Sequence, residues 1–391
     1  MVSNQKENTM NFQTPEPFDS FRCLAGDCPD TCCAGWEVVI DPKSERLYQK
    51  AEGPIGKRLR DAMTLDGDGD CIFINRNRRC PFLNPENLCD IHTALGEDAL
   101  SETCRLYPRF YADFGSLREA GLSLSCPEAA RLILSNPAPM RFVMAQNDES
   151  SGYDPDLDPL FCTRMLRARH LGRTLLQNRR FTIFERLALL LQFATRLTAL
   201  LFISDEAAEN SLYTAFSDDR QLTRTLSDLR SSVPPAEAEV SGTLDALFNL
   251  LMQCEHRQSA FTRQLERARK RLKAPDSLTA ARAFKSVHAH YYEHLSVYYL
   301  FRYFMDCAWS CEPLLQIQHI ALACLSVYTL SLSLWLEKDR ALSDQEHQAV
   351  FCSYSREIEH SIPNQTLLSD HLTLAPELSA PALSRLLVCF P

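Results

Sequence analysis

The stretch that decides how the first third of the chain folds is residues 21–36, FRCLAGDCPDTCCAGW, which holds four cysteines within eleven residues. The chain has 391 residues and 16 cysteines, and nine of those cysteines lie between Cys23 and Cys126. The first twenty residues are polar and lack the apolar segment of a secretory signal peptide. We therefore expect a cytoplasmic protein, in which cysteines persist as thiols or metal-bound thiolates. The clustered cysteines are then predicted to be ligands.

The spacing of these cysteines is compatible with one metal site or with two. Cys71 aside, eight remain, and soft thiolates select zinc or iron-sulfur clusters over hard cations. Cys32 and Cys33 are adjacent, and neighbouring side chains of an extended backbone point to opposite sides. We expect one of them to serve a first site and the other a second site or its surroundings. The spacing matches neither paired zinc-finger cysteines nor the C-x3-C-x2-C loop of standard radical chemistry, because Gly35 stands at the third position.

Two regions of different character follow from the pattern of apolar residues. Up to about residue 130 the chain is irregular, with short strand-like pieces such as WEVVID and CIFIN. Residues 137–158 show no periodicity and are interpreted as a connection. Beyond them, amphipathic segments with few glycines predict helices. The predicted fold is mainly α, with an irregular cysteine-rich domain with short strands at 15–135 and an all-helical domain at 155–391.

The net charge of −9 favours a basic or lysine-bearing partner and argues against nucleic acid. A merely solvated acidic surface explains the charge equally well. Residues 315–336 are apolar enough to be a candidate membrane span, but they contain Gln316, Gln318 and His319. We favour a buried core helix there, and a peripheral contact with a membrane stays open.

Three blocks of the sequence, FRCLAGDCPDTCCAGWEVVID, CPFLNPENLCDIHTALGEDALSETCRLYPR and LSLSCPEAARLIL, cover most of residues 21–135. They resemble the flagellin lysine-N-methylase family, often called FliB, which carries a YkgJ-type cysteine cluster described as a zinc- or iron-chelating domain. The resemblance implies a cytoplasmic enzyme that methylates lysines of flagellin with S-adenosylmethionine and holds a [4Fe-4S] cluster, with zinc as the alternative metal. The residues that match the cluster motif are Cys23, Cys28, Cys32, Cys33, Cys80, Cys89, Cys104 and Cys126.

Methyl transfer sets requirements that the sequence meets only in part. A lysine ammonium, with a pKa of about 10.4, must lose its proton before it attacks a methyl group. The glycine-rich turn that often binds the donor in a doubly wound sheet is absent, so the donor is expected to use other contacts beside the cluster. His92, Arg105, Tyr107 and Arg109 are candidates around Cys89 and Cys104, and local packing explains them equally well.

Two alternatives to a methylase remain at this point. One is a non-enzymatic zinc- or iron-binding module that recruits a partner. The other is a zinc peptidase, because HYYEH formally matches H-x-x-E-H with ligands His290 and His294 and base Glu293. We favour the interpretation of this segment as a packed helix face.

Overall fold

The computed structural model describes residues 9–34, 38–67, 69–74, 79–150, 154–203, 205–231, 237–274, 277–285 and 287–390. The strands of the described part all lie before residue 151. They are β1 (Thr9–Pro15), β2 (Met63–Leu65), β3 (Cys71–Phe73), β4 (Arg109–Phe114), β5 (Leu117–Leu122) and β6 (Phe142–Ser150). Four of them form a sheet in the order β4-β5-β1-β6, and β2 pairs with β3. Strand β1 runs parallel to β5 and antiparallel to β6.

A tight hairpin joins β4 to β5 and places the residues that matter for the site. Its turn uses Gly115 at φ 63°, a left-handed conformation that glycine adopts without strain. Phe110 on β4 pairs with Gly121 on β5. A Cβ at position 121 would lie 2.4 Å from the Phe110 ring, so glycine leaves the space that this ring occupies.

Residues 40–99 of the cysteine-rich region surround a small core of their own, whereas the buried residues of its last helix belong to the large core of the chain. The helices of this region are α1 (Pro42–Lys50), α2 (Gly53–Ala62), α3 (Asp90–Leu95), α4 (Glu102–Leu106) and α5 (Pro127–Leu134). Helix α1 begins after Asp41, whose Oδ1 accepts backbone N–H groups of Lys43 and Ser44. The buried Tyr48 packs against Phe73 in the small core and donates its hydroxyl proton to the Ala99 carbonyl at 2.8 Å.

The rest of the chain is helical. Its helices are α6 (Pro159–Leu176), α7 (Ile183–Leu200), α8 (Glu206–Ser217), α9 (Asp219–Ser231), α10 (Glu237–Gln253), α11 (Ser259–Leu272), α12 (Ser277–Phe284), α13 (Ala289–Tyr303), α14 (Cys307–Ser310), α15 (Pro313–Glu337), α16 (Asp344–Tyr354), α17 (Ile362–Leu374) and α18 (Ala380–Cys389). A π-helical turn, Ser355–Glu359, continues α16. Helix α7 begins with a capping box in which Thr182 and Glu185 each accept a backbone N–H group from the other.

Helix α15 is the one helix in the described part of the chain that is long and apolar enough to cross a membrane. However, 83% of its apolar window is buried inside the protein. Helices α7, α11, α13, α17 and α18 all contact it. Its apolar surface is therefore covered by protein neighbours, as the core-helix interpretation expects.

The predicted fold class is confirmed, with two local differences. Residues 137–158 were predicted to be an irregular connection, yet they contain β6, because β1 from the start of the chain supplies the partner strand. CIFIN forms β3 as predicted, whereas Val39 of WEVVID makes only an isolated bridge to Ile72 and residues 35–37 lie outside the described part. One large core includes residues from both regions, such as Phe21 and Leu325. The boundaries at 135 and 155 remain predictions.

Candidate functional site

Four cysteines, Cys33, Cys80, Cys89 and Cys104, form what we call the compact set. Each of them lies within electrostatic range of the other three. They come from three separate stretches of sequence, so the fold brings them together. The structure thus selects four of the eight predicted ligands as mutual neighbours.

Backbone contacts position the compact set. The Cys80 N–H donates to the Cys33 carbonyl at 2.8 Å, next to an antiparallel bridge between Ala34 and Arg79. The backbone N–H of Phe82 donates to the Cys80 sulfur. Cys89 in turn accepts backbone N–H groups from the first turn of α3. These bonds hold the sulfur atoms on short, irregular loops, and such bonds stabilise the thiolate form that binds metals.

The electrostatics of the compact set are those of crowded, buried thiols. Burial raises the pKa of Cys80 to about 12 and the pKa of Cys104 to about 11, and the neighbouring thiolates add to both effects. The pKa of Cys33 falls to about 7, because the Cys32 thiol donates a hydrogen bond to it. The same bond raises the pKa of Cys32. A cation among these groups would relieve the repulsion between the thiolates.

The other four predicted ligands, Cys23, Cys28, Cys32 and Cys126, form a looser group that we call the open set. Cys126 lies within electrostatic range of Cys23 and Cys28, and Cys32 within range of Cys23. The two sets meet at the adjacent pair Cys32 and Cys33, whose thiols hydrogen-bond to each other instead of pointing to opposite sides, and Cys32 also lies within electrostatic range of Cys104. The assignment of these two cysteines to separate sites stays a prediction. Cys352 of α16 also lies near Cys28 and Cys126, although its place in the sequence gave no sign of this.

Thiolate sulfur is a suitable ligand for zinc or iron. The present arrangement of the sulfur atoms, however, is not that of a metal site. All eight predicted ligands are free thiols. No group of three or more His, Cys, Asp or Glu side chains, among the residues with described positions, is arranged to hold a metal ion. Metal binding would therefore have to draw the four thiols of the compact set together, which couples it to the folding of this region.

A cavity of about 260 Å³ opens next to the cysteines, where the cysteine-rich region meets the helices. One wall comes from Cys32, Tyr107, Arg109 and the loop after β5. The facing wall comes from residues that follow α10, from the end of α13, and from the π-helical turn with the residue after it. Residues far apart in the sequence therefore share one pocket.

The π-helical turn shapes the facing wall. Arg356 reaches across the cavity, where its Nε donates to the Ser125 carbonyl at 2.7 Å and its guanidinium pairs with Asp30. The ring Nε2 of His360 lies 2.8 Å from the Ser123 hydroxyl. Burial lowers the pKa of His360, so its imidazole stays neutral near pH 7. Single π-turns of this kind frequently occur at functional sites.

The four residues predicted to surround Cys89 and Cys104 divide into two pairs. Tyr107 and Arg109 line the cavity, and the Tyr107 hydroxyl lies 3.0 Å from the Ser125 hydroxyl. The side chains of His92 and Arg105 are exposed and do not line it. The lining residues of the helical region were not predicted, and they are Arg257, Gln258, Arg302, Arg356, Glu357 and His360. No motif marks them, because they lie on separate elements.

The peptidase hypothesis for His290, Glu293 and His294 is wrong. Both ring nitrogens of His294 face backbone carbonyl oxygens, of Ile133 at 2.6 Å and of Ala138 at 3.0 Å. The buried Glu293 carboxylate is held by the guanidinium groups of two arginines at 2.7 to 2.9 Å, and these are Arg179 and Arg186. Glu293 is therefore not free to act as a base and His294 is not free to bind zinc. Only His290 keeps an unpaired Nε2 among the described residues, and one histidine does not make a zinc site. The segment packs, as we favoured.

The helical region matches a known protein family. A family model described as the FliB lysine N-methylase C-terminal domain matches residues 169–375, which is more than half of the chain. This match falls on the helices, whereas the resemblance noted above was carried by the cysteine blocks. No solved structure matches the chain.

Two kinds of relatives are similar over a shorter stretch. The flagellar biosynthetic protein FliU of Salmonella muenchen is 30% identical over 126 residues, which are 31% of this chain and 75% of that protein. A lysine-N-methylase of Salmonella typhimurium is 29% identical over 126 residues, which are 31% of each protein. A lysine-N-methylase of Salmonella choleraesuis gives the same values. The matched segment thus spans about a third of the length of these lysine-N-methylases.

Proposed function

This chain belongs to the FliB lysine N-methylase family, and from that premise we propose that it transfers a methyl group from S-adenosylmethionine to lysine side chains of flagellin. Relatives named as lysine-N-methylases support the reaction, and a relative named as a flagellar biosynthetic protein supports the substrate. The net charge of −9 suits a lysine-bearing partner. We place the protein in the cytoplasm, where reducing conditions keep its thiols available as ligands.

The observation that carries this proposal is the family match over residues 169–375. That stretch contributes Arg257, Arg302, Arg356 and His360 to the cavity, and Cys32 borders the same cavity from the other side. The part of the chain that identifies the family and the part that carries the cysteines therefore meet at one pocket. A pocket of convergent polar groups is the default location for chemistry.

For the cluster, we assign the compact set as the ligands. A [4Fe-4S] cluster takes four thiolates, and Cys33, Cys80, Cys89 and Cys104 are four mutual neighbours on short loops. Cys32 of the open set then contacts the ligand Cys33 and borders the cavity. When bound, a cluster supplies a polarising metal centre and a one-electron couple. Zinc in the same thiolates is the alternative.

The protein side of the reaction requires a proton acceptor and a fixed geometry. The lysine nitrogen forms a bond to the methyl carbon as the bond from that carbon to the sulfonium sulfur breaks, which leaves S-adenosylhomocysteine. The ammonium proton must first go to a base, and we assign this role to the neutral imidazole of His360 in the cavity wall. This balance needs no further oxidant or reductant.

The direct test is methyl transfer by the whole chain, purified without oxygen. The protein is incubated with flagellin and S-adenosylmethionine that carries a labelled methyl group, and a flagellin without lysine is the control. We expect label on the lysine-bearing flagellin alone, and the His360→Gln variant should transfer at least about 100-fold more slowly. Bound metal without any transfer would contradict the proposal and favour the non-enzymatic module.

A further inference from the structure

The cavity beside Cys32 has an excess of positive charge in its wall. Among the described residues that line it are four arginines, Arg109, Arg257, Arg302 and Arg356, and one carboxylate, Glu357. A wall of this composition is unsuited to a cationic side chain alone. It favours a ligand that carries a negatively charged group.

Two of these arginines already have partners. Arg302 lies 3.5 Å from the buried carboxylate of Glu359 and donates to the Tyr298 hydroxyl at 2.8 Å. Arg356 is paired with Asp30 and with a backbone carbonyl. Their charges are therefore largely neutralised within the protein.

Arg257 differs from them. Its half-buried guanidinium has no hydrogen-bond or ion-pair partner in the described part of the chain, although its backbone N–H donates to Glu357 Oε2. It lies close enough to His360 to affect the charge of that ring. Arg109 also lacks an ion pair among described residues, but it packs over the rings of Phe18 and Phe21. Arg257 is thus the guanidinium that is free to bind an anion.

Glu357 stands next to Arg257 and offers the complementary charge. Its Oε2 accepts the backbone N–H groups of Arg257 and Gln258. Its Oε1 accepts no hydrogen bond from the residues whose positions are described. A guanidinium and a carboxylate that line the same cavity and form no ion pair with each other match the carboxylate and the ammonium of an α-amino acid.

We propose that this cavity binds the amino-acid end of the methyl donor, with Arg257 holding its carboxylate and Glu357 its ammonium. The inference rests on the proposed function, since it takes the donor to be S-adenosylmethionine. The remaining lining can contact the rest of the molecule. The hydroxyl oxygens of Ser123 and Ser125, which lie 2.7 Å from each other, keep lone pairs that can accept further hydrogen bonds, and the Phe110 ring, with the Arg302 guanidinium 4.3 Å from its centroid, adds apolar surface. It also explains how a chain without a glycine-rich turn binds this donor.

The test compares two ligands on matched variants of the whole chain, purified without oxygen. Isothermal titration calorimetry measures S-adenosylhomocysteine and 5′-methylthioadenosine, which has the nucleoside and thioether but no amino acid. Arg257→Gln removes the guanidinium and keeps the backbone N–H that Glu357 accepts. Arg263→Gln is the control, because Arg263 is an exposed arginine on α11 that contacts only Ser259 by hydrogen bond among described residues.

We expect Arg257→Gln to weaken the binding of S-adenosylhomocysteine about 10- to 100-fold, because a charged hydrogen bond is lost. Binding of 5′-methylthioadenosine should stay unchanged, and Arg263→Gln should change neither ligand. Unchanged binding of S-adenosylhomocysteine to Arg257→Gln would overturn the inference. An equal loss for both ligands would also overturn it, since the carboxylate would then not be the group recognised.

Failure of this inference and failure of the proposed function give different results. If the unmodified protein methylates flagellin but Arg257→Gln binds S-adenosylhomocysteine normally, only the cavity assignment is wrong. If binding depends on Arg257 while no methyl group reaches flagellin, the cavity assignment stands and the substrate is wrong.

Discussion

The cysteine-rich region and the helical region are stabilised in different ways. The core around the compact set has seven buried hydrophobic residues among those described, whereas the core shared with the helices includes most of the buried residues of the chain. A core of seven residues is too small to stabilise a fold alone. We infer that the part of the cysteine-rich region around this small core depends on the proposed metal, whereas the helical region depends on apolar burial. The cavity lies where the two meet.

Loss of a cysteine of the compact set should change the stability of the cysteine-rich region more than any other variant below changes either region. Cys80→Ser is expected to lose the metal and with it most of the stability of the cysteine-rich region, by about 10 kcal/mol if the site resembles structural metal sites. Hydrogen exchange should show fast exchange around α3 and α4, while α15 stays protected. Cys324→Ser, a buried cysteine of α15, is the control and should retain metal. Equal loss of protection in both regions would contradict the comparison.

The helical region should respond strongly to loss of a buried ion pair. Glu293→Gln leaves the buried Arg186 without its charged partner, so we expect a loss of about 3–5 kcal/mol in the free energy of unfolding. The metal content should not change. Denaturation with urea measures this loss. Asp219→Asn, which breaks the exposed pair with Arg180, should cost less than about 1 kcal/mol, and a similar cost for both variants would rule out a structural role for Glu293.

Stability of the helical region should also fall in acid. Burial lowers the pKa of His319 to about 4, whereas in the unfolded chain it is about 6.5. The unfolded state therefore binds a proton first, and stability present above pH 6.5 is lost as the pH falls towards 4. We expect His319→Gln to reduce the loss between pH 7 and pH 5 by on the order of 2 kcal/mol. If urea denaturation shows the same loss of stability between pH 7 and pH 5 for the unmodified protein and for His319→Gln, the pKa assignment is contradicted.

The smallest expected effect concerns a helix end. Thr182→Ala removes the capping box of α7 and should cost about 1 kcal/mol. The midpoint of urea denaturation measures it, with Thr182→Ser as the control that keeps the hydroxyl. A loss of metal in Thr182→Ala would show that the two regions are less independent than we infer.

Much of the fold follows from local sequence patterns. The amphipathic spacing predicts the helices, and the polar residues inside 315–336 already favour a core helix, which α15 is. Adjacency alone, by contrast, predicted opposite directions for Cys32 and Cys33, whereas their thiols hydrogen-bond to each other. The pairing of β1 with β6 could not be predicted, because the two strands are separated by more than 120 residues and neither is strongly patterned.

The site was harder to predict for a related reason. Cys33 and Cys104 become neighbours only through loop packing, and the sequence shows eight equivalent candidates. Arg257 and His360 carry no motif, and they reach the cavity from the connection between α10 and α11 and from the residue after the π-helical turn. Conversely, HYYEH has the right spacing for zinc, but two arginines more than 100 residues away bind its glutamate. Spacing alone does not reveal which partners arrive from elsewhere in the fold.

The central claim is that the compact set holds an iron-sulfur cluster, and its most direct test is the content of iron, acid-labile sulfide and zinc per chain after purification without oxygen. We predict about four irons and four sulfides, lost in Cys104→Ser and retained in Cys28→Ser. Zinc without sulfide, or iron that is lost in Cys28→Ser and kept in Cys104→Ser, would contradict the claim.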